Sequence, residues 1–222
     1  DNTARLWSLE GAELQIFRGH RQRVWDVAFS PDGRQLATAA GGGEGTVRLW
    51  HLQNPVSATL SDHKAVVLQA IFSSASAILP SGSGQILASG SDDQTVKLWN
   101  QDGRPITTLN GHRAGVLGVA FSPDAHLLAS ASWDGTVKLW HIDMRSGHYS
   151  LLKTLKNQCG PSWKVAFSPN GQRLASTCQN GNIKVWTKTG HLLQTLTGHS
   201  GEVRSVAFSP DNSLIASASL DK

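Results

Sequence analysis

Residues able to do nucleophilic chemistry recur through this 222-residue chain in a fixed order. His63, Ser89 and Asp93 form one set, His112, Ser130 and Asp134 a second, and His199, Ser217 and Asp221 a third. These are the parts of a hydrolytic triad, in which the imidazole takes the hydroxyl proton and the carboxylate orients the imidazole. A hydrolase needs one such set, with an exposed nucleophile beside an oxyanion hole. Repetition points instead to a lock that every structural unit requires, so no catalytic residue is expected.

Other chemistries find less support. His51, His126, His141, His148 and His191 lie near expected turns without His-x-x-x-His ligand spacing, and no metal site is expected. The glycine run 41–43 lacks the Lys-Ser/Thr of a phosphate-binding loop, and no cofactor is expected. Cys159 and Cys178 form no Cys-x-x-Cys pair, and such sparse cysteine usage predicts reduced thiols.

The elements that must position the recurring residues announce themselves as a repeat. A tryptophan closes a short apolar and basic run at Trp7, Trp50, Trp99, Trp140 and Trp186. Gly-His recurs in phase at His20, His112 and His199, with Asp62-His63 as a variant. Phe-Ser-Pro recurs at Phe29, Phe121, Phe167 and Phe208, and Phe72-Ser73 is its variant. Each Phe follows its His by nine residues, and the same spacing from Phe167 assigns Gln158 to the histidine position of a degenerate repeat. The basic period is 41 residues, lengthened by insertions in 41–45, around 73–84 and around 143–149. Anchors that stay in phase across insertions place those insertions in turns.

Within one period the pattern reads as four short strands. In the third repeat these are 116–121, 127–132, 136–140 and a weaker 151–155, separated by turn residues such as Ser122-Pro123-Asp124. Charged residues make up 16% and hydrophobic residues 39%, with 22 glycines, which suits strands and turns better than solvated helices. No apolar run approaches the roughly 18 residues of a membrane-spanning helix, so no membrane partner is expected.

These in-phase anchors resemble the WD40 repeat family across essentially the whole chain. The resemblance implies an all-β propeller with blades at 19–61, 62–110, 111–156 and 157–197, and partial blades at 1–18 and 198–222. It departs from the family pattern in one respect: the residues after the anchor tryptophans are Ser8, His51, Asn100, His141 and Thr187, never Asp. The family further implies a structural tetrad of His, Ser or Thr, turn Asp and Trp. The expected sets are His63, Ser89, Asp93 and Trp99, and His112, Ser130, Asp134 and Trp140. His20, Thr38, Glu44 and Trp50 form an altered set, and Gln158, Ser176, Asn180 and Trp186 a degraded one. His199, Ser217 and Asp221 begin another.

Three tryptophans are not required by the repeat: Trp25, Trp133 and Trp163. The family resemblance implies that their slots (five after the histidine, or one before the turn aspartate) face the top of the propeller, with the slot three after the histidine. Equivalent slots hold Arg23, Val66, Leu68, Asp92, Leu117, Glu202, Arg204 and Leu220. Trp and Arg dominate interface hot spots, so the expectation is a non-catalytic scaffold binding a protein or peptide on this face. A nucleic-acid-binding propeller is one alternative. The formal charge is only +4, and Arg5, Arg48, Lys97, Lys138 and Lys184 follow the repeat instead of forming one stripe. A propeller enzyme is the other alternative, but it lacks a unique polar pocket.

The first residue is Asp1 and the only methionine is Met144, so the chain is expected to be a fragment of a larger, cytoplasmic, multidomain signalling or regulatory protein, in which an effector domain is covalently linked. The Phe-Ser-Pro phrasing suggests bacterial-type tandem repeats. The next anchor tryptophan is due 28 residues after His199, beyond Lys222. The family resemblance therefore implies an arc of a larger, typically seven-bladed, propeller. The alternative is a closed five-bladed ring, in which 202–219 and 3–17 make one split blade.

Overall fold

A computed structural model describes residues 1–42, 45–53, 57–74, 77–79 and 82–221. Glu44 and part of the insertion around 73–84 lie outside the described residues. Every regular element among the described residues is a β-strand. A two-stranded pair comes first, β1 (Ala4–Trp7) and β2 (Glu13–Phe17). The first blade is a meander of β3 (Val24–Phe29), β4 (Gln35–Ala40), β5 (Val47–His51) and β6 (Ser57–Leu60). The second joins β7 (Val67–Phe72), β10 (Leu87–Ser91), β11 (Val96–Trp99) and β12 (Pro105–Leu109). Its insertion forms a separate hairpin of β8 (Ala77–Leu79) and β9 (Gly82–Gly84).

The third blade is β13 (Val116–Phe121), β14 (Leu127–Ser132), β15 (Thr136–Asp143) and β16 (His148–Lys156), in sequential order. Its third and fourth strands outrun the sequence expectation because the insertion around 143–149 extends their ladder out to Asp143 and His148. The fourth blade is β17 (Val165–Phe167), β18 (Arg173–Thr177), β19 (Ile183–Thr187) and β20 (Leu192–Leu196). A last pair, β21 (Val203–Phe208) and β22 (Ile215–Ser219), stands alone. Among the described residues β22 does not pair with β1, so the closed five-bladed ring is not formed; its split blade would need that ladder.

Period-two alternation would hide one face of a lone sheet, but here the second strand of each blade is buried on both faces. All six residues of β4 and all five of β10 are buried. The cause is stacking of blade on blade. Ala37, Leu49 and Leu60 of the first blade meet Val67, Leu87 and Trp99 of the second. Leu98 and Val96 meet Val116, Leu128 and Trp140 of the third, and Leu139 and Val137 meet Val165, Leu174 and Trp186 of the fourth. Trp50, Trp99, Trp140 and Trp186 thus each seal the seam with the preceding unit, whereas Trp7 is exposed. The first strands β3, β7, β13, β17 and β21 neighbour one another in succession and line the axis of the arc.

Side chains from the first strands also stitch the blades together. The Asp26 carboxylate accepts from the Ala70 amide at 3.0 Å, and Gln69 Oε1 accepts from the Val119 amide at 2.8 Å. Burial raises the Asp26 carboxyl pKa and lowers that of the Lys164 ammonium, while the charge of each opposes the shift of the other. At the equivalent position the third blade carries Gly118, where a Cβ would stand 2.7 Å from the Trp163 carbonyl oxygen. The missing side chain lets the fourth blade's backbone come close.

Candidate functional site

The recurring polar residues form closed hydrogen-bond chains. In the third blade Trp140 Nε1 donates to Ser130 Oγ at 2.8 Å, Ser130 Oγ lies 2.7 Å from His112 Nε2, and His112 Nδ1 lies 2.8 Å from Asp134 Oδ2. The second blade repeats this with Trp99, Ser89, His63 and Asp93. A neutral imidazole protonated at Nδ1 satisfies every link, since the serine hydroxyl accepts from indole and donates to Nε2. Ser89 and Ser130 are fully buried and already engaged, so neither hydroxyl can reach a substrate. Burial would raise the Asp93 and Asp134 carboxyls, yet hydrogen bonds from the partner histidine, from Thr95 or Thr136 and from a backbone amide outweigh it and hold both well below the usual range.

The first blade keeps the upper part of this chain, with Trp50 Nε1 donating to Thr38 Oγ1 and His20 Nε2 at 2.7 Å from the same hydroxyl. The terminal pair holds His199 between Ser217 and Asp221. In the fourth blade Trp186 Nε1 donates to Ser176 Oγ, which donates to Asn157 Oδ1 at 3.1 Å. Asn157, not Gln158, fills the histidine place: Gln158 is exposed and adopts φ 54°, which turns the preceding residue inward. The thiol expectation is also overturned. Cys159 and Cys178 are joined in a disulfide with Cα atoms 5.5 Å apart, because the repeat brings their slots together at the end of β18. That proximity was open to detection: in the other blades the same two slots are held by Lys64 and Ser91, and by Arg113 and Ser132.

Segments leading into the first strands meet the turns after the second strands on one face, the top. Gly41, Asp92, Trp133, Gln179 and Leu220 donate backbone N–H groups to Arg23, Val66, Gly115, Pro161 and Glu202. Here Trp133 of the third blade meets Trp163 of the fourth edge to face, with ring centroids 4.5 Å apart. The Arg204 guanidinium of the terminal pair lies 3.5 Å over the Trp163 ring. Glu202 pairs with Arg204 at 2.6 Å and accepts from Gln179 Nε2 at 3.1 Å. Trp133 is 41% exposed, and Trp163 Nε1 is buried with no hydrogen-bond partner among the described residues. Gln179 escaped the sequence reading, although its slot is that of Trp133.

The remaining top-face candidates are dispersed. Trp25, 55% exposed, stands against Gly41 and Val66, away from the other two tryptophans. Asp92 leans on Gly115, Arg23 is exposed and Leu68 half-buried. Leu220 is 63% exposed, whereas Leu117 is only 8% exposed and offers little surface. Among the described residues no group of three His, Cys, Asp or Glu side chains is placed to hold a metal ion. The repeated basic residues bind within their own blades: Lys97 to Asp62 and Thr108, Lys138 to Thr154, Arg5 to Asp1 and Glu13.

Serially stacked antiparallel meanders, each locked by a hydrogen bond from its anchor tryptophan to a buried hydroxyl, define a β-propeller repeat protein. The chain belongs to the WD40 family: the model for the WD domain, G-beta repeat, matches residues 11–51, 55–100, 103–141, 149–187 and 190–222. It is 38% identical over 72 residues to a transcription initiation factor TFIID subunit 5 of Caenorhabditis elegans, covering 32% of this chain and 11% of that protein. It is 51% identical over 39 residues to coronin-7 of Bos taurus, covering 17% and 4%. A ribosome biogenesis protein WDR12 homolog of Trichoplax adhaerens is 39% identical over 51 residues, covering 22% and 12%. The chain therefore spans about an eighth or less of the length of these relatives.

Proposed function

We propose that this chain is a non-catalytic scaffold that binds a protein or peptide partner on its top face, within a larger regulatory protein. The observation that carries this reading is the ridge of Trp133, Trp163 and Arg204, contributed by three successive units of the arc. An exposed tryptophan such as Trp133, continued by the half-buried Trp163 and a guanidinium, is costly surface unless a partner covers it, and Trp and Arg give the largest losses in interface truncation. The likeness to a protein named as a subunit of a transcription initiation factor supports the class of function.

A peptide-display selection against the folded chain tests the reading. Selected peptides should lose at least about tenfold in affinity on Trp133→Ala, a truncation cost typical of hot spots, with thermal unfolding nearly unchanged. Peptides whose affinity ignores both Trp133→Ala and Arg204→Ala would place the binding surface elsewhere.

A further inference from the structure

We infer that the Cys159–Cys178 disulfide replaces the carboxylate clasp missing from the fourth blade, and that its reduction releases the segment carrying Trp163 and so regulates the top-face ridge. This rests on the function proposed above for that ridge.

The equivalence follows from the repeat. In intact blades the turn aspartate ties the entering segment to the turn after the second strand: Asp93 accepts from His63 and the Lys64 amide, and Asp134 from His112 and the Arg113 amide. The terminal pair does the same with Asp221, His199 and the Ser200 amide. The fourth blade has Asn180 at the aspartate position, and its side-chain oxygen turns to the Asn182 amide. Counted back eight residues from the phenylalanine anchor, Cys159 occupies the slot of Lys64, Arg113 and Ser200, and Cys178, two after the hydroxyl residue, that of Ser91, Ser132 and Ser219. A covalent bond therefore joins the two segments that a hydrogen-bonded carboxylate joins elsewhere.

The same segment carries the ridge. Trp163 lies four residues after Cys159, and its amide and that of Lys164 donate to Thr177 Oγ1, next to Cys178. Gln179 donates its amide to Pro161, Asn180 donates to Cys159, and the Val203 amide of the terminal pair donates to the Cys178 carbonyl. Loosening this strap moves Trp163 away from Trp133 on one side and from Arg204 on the other. Both cysteines are buried, but Cys159 is flanked by exposed Gln158 and Gly160, which makes its sulfur the point of attack. A dithiol reductant supplies the two electrons and two protons. Its thiolate attacks Cys159 Sγ, and Cys178 leaves as thiolate and takes a proton. The second thiol then displaces Cys159 as a thiol, and the reductant departs as a disulfide.

Hydrogen exchange read by mass spectrometry on the full chain, oxidised against dithiol-treated, tests the inference without any partner. Peptides covering 158–164 and 177–180 should exchange about tenfold faster after reduction, as local opening frees their amides. The Trp133–Trp163 signal in near-ultraviolet circular dichroism should fall, while 112–134 keeps its protection. Cys159→Ser with Cys178→Ser should reproduce the reduced pattern without reductant. Two titratable thiols in the air-oxidised chain would overturn the inference. So would unchanged exchange at 158–164, or equal acceleration at 112–134. Failure of the peptide selection would leave these readouts intact and count only against the ridge as a binding surface.

Discussion

At the scale of single residues, Ser130 is the pivot of the third blade, accepting from Trp140 and donating to His112. Ser130→Ala strands two buried polar groups at once, at about 1–3 kcal/mol, with a fall in Tm of roughly 3–10 °C for a domain of this size. An unchanged Tm would remove the chain of bonds from the account of stability. The carboxylate end has a pH signature. Folding lowers the Asp93 and Asp134 pKa values, so their stabilisation is complete above the unfolded value of about 4 and is lost as pH falls below it. Asp134→Asn should lower Tm at pH 7 yet flatten the loss of Tm between about pH 4 and pH 2.5. Parallel pH profiles of variant and parent would show that the acid sensitivity lies elsewhere.

At the scale of elements, the blades are independent in sequence but tied along the axis. Gln69 is buried in β7, and its side-chain oxygen takes the Val119 amide from the neighbouring blade. Gln69→Leu keeps the volume and removes the acceptor, costing about 1–3 kcal/mol for an orphaned buried amide. Exchange of the Val119 amide should accelerate, while the Ala70 amide, held by Asp26, stays protected. Equal loss at both sites would mean that the seam opens as a whole. This tie was hidden from the sequence, where Asp26, Gln69, Gly118 and Lys164 share a slot with no common chemistry. The strands themselves were legible, because histidine, phenylalanine and tryptophan mark fixed points in each meander. What periodicity could not show was a local backbone reversal such as that at Gln158, which hands the polar role to Asn157. Nor could composition foresee a disulfide: sparse cysteines argue against a framework but say nothing about one cross-link between slots that the fold makes adjacent.

At the scale of the whole molecule, the hydrophobic clusters lie in the seams between blades, so each unit is stabilised chiefly by its neighbours. Such an array behaves as a line of coupled units, not as a single core. The middle blades are covered on both flanks, and Trp99 and Trp140 are almost wholly buried. The flanks of the arc differ. Trp7, Val27 and Phe29 are each 53% exposed, and β22 offers mostly exposed residues beside a half-exposed His199. Protection against hydrogen exchange should therefore peak in β10–β15 and decline towards β1–β2 and β21–β22. Chemical unfolding should be less steep than surface exposure alone would give, since units with one neighbour open first. Leu98→Ala, in the seam between the second and third blades, should cost about 2–5 kcal/mol and split the array into two transitions, because it weakens the coupling that makes both halves unfold together. A single transition with uniform protection from β1 to β22 would show that the arc folds as one indivisible unit.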